Sequence, residues 1–282
     1  IIMSCGNNNS PINISKNSVS GPCDKKCMLQ FNYHDSTCNV TRESQYLELN
    51  YDQSSTAPIK FNNIAHDVYK MRLYTPSLHK FNDEHADAEL IIAHNGNGSN
   101  LLICIPLMST DITTECSKLM DKIINGTERL APKVGNRATI NISDFNCNSF
   151  VPKLPYFFYE ATLPYEPCNG NYNFVVFHTN TFSTIKKSTL DKFKKMVNKH
   201  NINIKSGPDL FLSGGKAFSS DSNDIYISCQ PVGKKPEGFT DISDSYSLQI
   251  NNSNTLNIMK ENMIPIFIGS AFLFGLLYTR KK

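Results

Sequence analysis

Short runs with an apolar residue at every second position recur along this chain, and they confine it to folds built on a sheet. Leu47, Leu49 and Tyr51 alternate with Glu48 and Asn50, and Met71 and Leu73 with Arg72 and Tyr74. Leu90, Ile92 and His94 alternate with Glu89, Ile91 and Ala93. Successive side chains of a strand point to opposite faces, so period two is a strand signal. Leu101 to Ile105 and Phe174 to Phe177 are continuous apolar bursts of strand length. Turn residues separate such runs at Asn95-Gly96-Asn97-Gly98, Asn125-Gly126 and Asn169-Gly170. Helical signal is scarce. Cys116 to Ile124 predicts one short helix. A second is predicted to start at Ser188, which with Asp191 reads as a capping-box-like Ser-x-x-Asp. Leu190, Phe193 and Val197 form its apolar face, and Lys192, Lys195 and Lys199 point away from it. The expected class is mainly β, a sheet-dominated domain with few peripheral helices.

Of 282 residues, 40% are hydrophobic and 19% charged, which is enough apolar material for a core and excludes wholesale disorder. A net charge of +3 is too mild for a nucleic-acid-binding protein, so no nucleic acid is expected as partner. No nucleophile elbow, phosphate loop or Asp-rich metal motif is present. The opening Ile1-Ile2-Met3-Ser4-Cys5-Gly6 carries no charged segment and apolar run of the signal-peptide kind. Met263 to Tyr278 reads MIPIFIGSAFLFGLLY without a charge, and Arg280-Lys281-Lys282 follow Thr279. A full span needs about 17–25 residues, and snorkelling of the basic tail makes up the difference. Residues 263–279 are therefore expected to be a single-pass transmembrane anchor, with 280–282 as its internal basic tail. The alternative is a buried core helix. The polar stretch 230–262, with Gly233, Pro236 and Gly238, reads as a stalk or linker. Residues 1–229 are left as one ectodomain.

Four further segments occur in a telling order. They are Ser10-Pro11-Ile12-Asn13-Ile14, Ala88-Glu89-Leu90-Ile91-Ile92-Ala93-His94, Leu163-Pro164-Tyr165-Glu166-Pro167-Cys168 ahead of Asn173 to Phe177, and Ser188 to Lys195. In order and spacing the four together resemble the α-class carbonic anhydrases. The resemblance implies a large, twisted, mostly antiparallel central sheet with a cleft. It also implies zinc held by three histidines, a geometry that leaves an open position for a reactive water. This chain departs from that pattern. The resemblance puts the ligand positions on Tyr74, Pro76 and Ile91, and the hydroxide-orienting threonine on Pro164. Leu78 falls where the family has a carboxylate, and Glu89 is left with no ligand to orient. His79 and His94 match framework histidines. No catalytic residue, no metal and no cofactor are expected. A small structural zinc site on Cys23, Cys27 and Cys38 is the minor alternative, since the spacing is loose and no fourth ligand is evident.

Nine cysteines are more than a reduced cytosolic protein usually keeps. Extracellular members of the family join the regions of Cys5 and Cys168 by a disulfide. Such a bridge would close a loop of about 160 residues and contribute roughly 4–5 kcal/mol in the chain-entropy model. The alternative is two unrelated thiols. Cys104 reads as a buried small hydrophobe. Cys229, at the boundary of domain and stalk, is the candidate for an intermolecular bridge in a homo-oligomer.

A carbonic anhydrase-like domain without zinc ligands, on a C-terminal anchor, resembles the homologues that poxviruses carry in the virion membrane. That resemblance implies attachment to sulfated glycosaminoglycan on host cells, chiefly chondroitin sulfate. A sulfated polysaccharide is a line of negative charge, so clustered cations should hold it. Residues 186–205 contain seven lysines against one aspartate, including Lys186, Lys187, Lys192, Lys194, Lys195 and Lys199. A second candidate surface is the cleft rim. There Arg72 shares strand parity with Tyr74, Lys60 is expected beside it, and Lys70 and Lys80 flank the region. The residues leave the choice between the two surfaces open. A rival reading is an adhesion module that binds a protein partner through the cleft.

Overall fold

The computed structural model describes residues 5, 8–23, 27–215 and 217–219. Residues 230–262, expected to be a stalk or linker, Cys229 and residues 263–279 lie outside them. Among the described residues, no helix is long and apolar enough to cross a membrane. The chain opens with β1 (Asn13–Ile14), β2 (Val19–Cys23), β3 (Leu29–Phe31), β4 (Cys38–Arg42), β5 (Tyr46–Asn50), β6 (Ile59–Phe61) and β7 (Ile64–Tyr74). Next come β8 (Lys80–Phe81), β9 (Glu84–His85), β10 (Ala88–Gly96), β11 (Ser99–Thr110), α1 (Glu115–Leu130) and β12 (Arg137–Ile140). Then follow β13 (Tyr156–Ala161), β14 (Tyr172–Phe177), β15 (Thr184–Lys186), α2 (Lys187–Met196), β16 (Leu210–Ser213) and β17 (Phe218–Ser219).

A 14-stranded mixed sheet organises these elements, with β12-β4-β5-β7-β10-β11-β14-β13-β16-β2 as its main path. Most neighbours are antiparallel, while β11 runs parallel to β14, and β16 to β2. The alternation read in the sequence is the register of this sheet. Leu90 and Ile92 of β10, with Leu101, Ile103 and Ile105 of β11, enter one core layer beneath α1 and α2. Ile91, Ala93, Leu102 and Cys104 enter a second layer on the other face. Both faces of the β10–β11 hairpin are thus closed to water, which explains its nearly unbroken apolar sequence. The hairpin turns at Asn97-Gly98, with Gly98 at φ +73° between the paired Gly96 and Ser99.

Two local expectations are corrected. Asn125-Gly126 is not a turn but lies inside α1, which runs from its Thr114 cap to Leu130 rather than stopping at Ile124. Thr114 Oγ1 accepts from the Ser117 N–H at 3.0 Å, and Ser117 Oγ accepts from the Thr114 N–H at 2.8 Å. Gly126 serves close packing. A Cβ there would stand 2.6 Å from Ile140 Cγ2 on β12. Nor does Ser188 cap α2. The helix begins at Lys187, and Lys186 occupies the cap position without a side-chain capping bond. β15 pairs with β11 through Lys186 and runs directly into α2, so the sheet sets where the helix starts.

Cys5 and Cys168 are joined by a disulfide across 163 residues of sequence. Cys23 and Cys27 form another, which removes both from any metal site with Cys38. Cys38, Cys104, Cys116 and Cys147 are buried free thiols.

The Gly126 contact is testable. Helix propensity alone would make Gly126→Ala stabilising by about 1 kcal/mol. Overpacking against Ile140 should reverse the sign and destabilise by about 1–3 kcal/mol. Adding Ile140→Val should recover part of the loss in urea unfolding, whereas a turn glycine would show no such rescue.

Candidate functional site

β7 and β10 place the family-like ligand positions on the face opposite the helices. Glu89 pairs with Tyr74, and Ile91 with Arg72. From the other side, β5 brings Tyr46 against Tyr74 and Glu48 against Arg72. Tyr74 and Ile91 are 1% and 0% exposed and belong to the core layer of that face. Pro76 follows a cis peptide bond, and Pro164 is buried. Isoleucine and proline offer no side-chain donor, so Tyr74, Pro76 and Ile91 do not fit a three-imidazole zinc site.

Aromatic rings and one guanidinium fill the space around Tyr74. Its ring lies 5.2 Å from that of Tyr46, 6.3 Å from Tyr165 and 6.0 Å from His200. Arg72 is held between two rings, its guanidinium carbon 4.6 Å from the Tyr46 centroid and 4.1 Å from that of Tyr165. Its Nη1 donates to the Tyr74 hydroxyl at 3.5 Å. Its buried Nε has no hydrogen-bond partner and stands 3.9 Å from Glu48 Oε2, while Lys70 reaches the same oxygen at 3.2 Å. Burial pushes the Tyr74 phenol above its usual range, against the opposing pull of Arg72. His200 donates from Nε2 toward the Pro76 and Ser77 carbonyls, both at 3.2 Å, and its Nδ1 accepts from the Ile202 N–H. That neutral tautomer fits a pKa lowered by burial.

Glu89, with no metal ligand to orient, is instead bonded to the framework histidine His79. Its Oε1 pairs with His79 Nδ1 at 2.6 Å, both side chains being fully buried. Its Oε2 accepts from the Leu78 N–H at 2.7 Å and the His79 N–H at 3.1 Å. His79 Nε2 continues the chain to the Tyr159 hydroxyl at 2.6 Å. Burial would raise the Glu89 carboxyl, but His79 and these N–H groups hold it below its usual range. His79, Glu89 and Cys104 together bring donor atoms within 4.8 Å of one another. A metal there would have to displace the His79 bonds to Glu89 and Tyr159. Burial, with Glu89 nearby, pushes the Cys104 thiol far up and disfavours the thiolate a metal needs.

The basic residues fall apart into separate groups. Lys60 pairs with Ala65 at the far end of β7, about 23 Å along the strand from Arg72, so it is not beside the rim. Lys186 pairs with Asp121 of α1, and Lys187 lies 3.6 Å from Asp111. Lys192 donates to Asn125 Oδ1 at 2.6 Å and lies 3.6 Å from Glu128, so it faces α1 rather than away from the core. Lys194, Lys195 and Lys199 are exposed. Tyr46, Tyr165 and the His79–Tyr159 link went unrecognised as site residues. Once β5 is paired with β7, strand parity alone puts Tyr46 and Glu48 on this face.

Residues 2–207 match the family model described as eukaryotic-type carbonic anhydrase. The α-carbonic anhydrase of Photobacterium profundum superposes with a TM-score of 0.61 at 12% identity, over 74% of this chain and 89% of that one. The α-carbonic anhydrase of Thermovibrio ammonificans, in complex with the inhibitor sulfanilamide, gives 0.61 at 15% identity, over 74% and 87%. Dioscorin complexed with ascorbate gives 0.58 at 16% identity, over 75% and 87%. At these identities the likeness is one of fold. No curated protein sequence matches the chain.

Beneath the helices, His94 is fully buried, and its Nε2 shares a 3.0 Å hydrogen bond with the Tyr33 hydroxyl. Burial pushes its pKa down to about 3, with His66 adding to the effect. Below pH 6.5 the unfolded chain binds a proton there that the folded chain refuses, so stability falls as pH falls. Between pH 7.5 and 5 this group should remove about 2 kcal/mol. Urea unfolding at the two pH values measures it, and His94→Gln should show a loss smaller by that amount.

Proposed function

We propose that this chain, which belongs to the eukaryotic-type carbonic anhydrase family, binds rather than catalyses. It is a metal-free attachment protein for sulfated glycosaminoglycan, with chondroitin sulfate on host cells as the target. It is carried on the virion membrane by residues 263–279, its ectodomain facing outward. The observation behind the loss of catalysis is the packing of Tyr74 and Ile91 into the core with Arg72 clamped beside them. Zinc hydroxide chemistry needs a coordinated metal and an open position for water. Here the corresponding space is occupied by tyrosine rings and a guanidinium. The binding half of the reading is supported by the lysines of residues 186–205 and by the uncharged run Met263 to Tyr278 ahead of a basic tail.

Two measurements on the full chain in detergent test the two halves separately. Elemental analysis should find no stoichiometric zinc, and CO₂ hydration should stay at the uncatalysed rate. Sulfonamide-sensitive hydration would overturn the first half. Retention on immobilised chondroitin sulfate should fall steeply as salt is raised, because attraction between exposed charges is screened. Absence of retention at low salt would overturn the second.

A further inference from the structure

Lys186, Lys187 and Lys192 are held in ion pairs, while Lys194, Lys195 and Lys199 toward and beyond the end of α2 are exposed and unpaired among the described residues. α1 and α2 run side by side in the same direction, with Asp121 joined to Lys186 and Thr189, and Asn125 to Lys192. Their C-termini therefore lie together. Arg42 of β4 staples them: its Nε donates to the Met196 carbonyl at 2.9 Å, and its Nη1 to the Pro132 carbonyl. The Gly135 N–H donates to the Arg42 carbonyl at 2.7 Å, and the Asn198 N–H to that of Ser44 at 2.7 Å. This brings Arg129 and Lys133, at and beyond the end of α1, to Lys195 and Lys199, at and beyond the end of α2. All four are exposed, and among the described residues none is in an ion pair. The lysines that face α1 or Asp111 are, by contrast, paired.

We propose that this helix-end cluster, rather than the side of α2 or the Arg72 rim, is where a sulfated polysaccharide docks. The proposal rests on the binding reading above and locates it. Charge favours it. Each helix C-terminus contributes about half a negative charge. Four full positive charges outweigh two such ends by about three charges. The Arg72 rim has less to offer, since Glu48 lies between Lys70 and Arg72 and the guanidinium is enclosed by rings. Leu130 and Val134, exposed by 45% and 55%, stand among the cations and offer apolar contact to sugar-ring faces.

The test compares the full chain in detergent with two variants on immobilised chondroitin sulfate across a salt series. Arg129→Ser/Lys133→Ser/Lys195→Ser/Lys199→Ser should lose about tenfold or more in affinity and show a flatter salt dependence, because several individually weak exposed contacts are removed together. Lys118→Ser, which removes a lysine of α1 paired with Glu115 and outside residues 186–205, should stay within about twofold. Lys133→Ser/Lys195→Ser is the fallback should the fourfold variant fold poorly by near-UV circular dichroism, and should lose about threefold or more. Unchanged binding of the cluster variants, with wild type retained and salt-sensitive, overturns this location and leaves the binding reading standing. No retention of wild type overturns both. Capture by phosphatidylserine vesicles that the fourfold variant loses, without retention of wild type on chondroitin sulfate, makes the cluster a lipid-docking surface and overturns the proposal.

Discussion

A carboxylate sits inside a hairpin that is closed to water on both faces, and the surrounding architecture follows from that. Glu89 is fully buried on β10, in a strand whose neighbouring residues from Ala88 to Ala93 are otherwise Ala, Leu and Ile. An isolated buried carboxylate costs several kcal/mol. Here the backbone N–H groups of Leu78 and His79 meet one oxygen, and the His79 imidazole the other. The stretch after β7 must therefore fold back across β10, and Tyr159 of β13 must reach His79 from the far side of β14. One polar network ties three separate parts of the sheet to each other. It is satisfied throughout, which suits a role in fixing register as well as stability.

The face above that network is filled by side chains around Arg72 and Tyr74. Arg72 brings a permanent charge to the face, where Tyr46 and Tyr165 cover the guanidinium on both sides. The Cys5–Cys168 disulfide closes the loop that carries Tyr165, so the second ring is tethered to the N-terminal segment. Tyr74 then fills the centre of the site. Bulk and a π-bound cation occupy the place where the family resemblance puts a metal and water.

Much of this was legible from residue pattern, and the failures share a cause. Period two identified β5, β7 and β10, because one-residue alternation survives any tertiary arrangement. Asn125-Gly126 misled because glycine is required both by turns and by close packing, and only the position of Ile140 distinguishes them. Ser188 misled because β15 delivers the chain to α2 already aligned. Lys60 was placed beside Arg72 by nearness in sequence, although β6 and β7 form a hairpin whose register puts them at opposite ends of a long strand. The partner of Glu89 was missed for a related reason. His79 lies ten residues away in sequence and meets it only after the chain has reversed.

The distribution of lysines makes the same point about charge. A count over residues 186–205 treats seven cations as one patch, but a cation beside a carboxylate has spent most of its field. Asp111, Asp121 and Glu128 lie on or just before α1, so every lysine of α2 that faces that region is compensated. Past the last acidic residue of α1, the helix adds Arg129 and the following loop adds Lys133, both exposed and in none of these ion pairs. The place where the two helices stop together is one that residues 186–205 alone do not define, since half of the four-residue cluster comes from residues some sixty positions earlier in the chain. A long-range partner such as a polyanion responds to that net field rather than to the number of lysines.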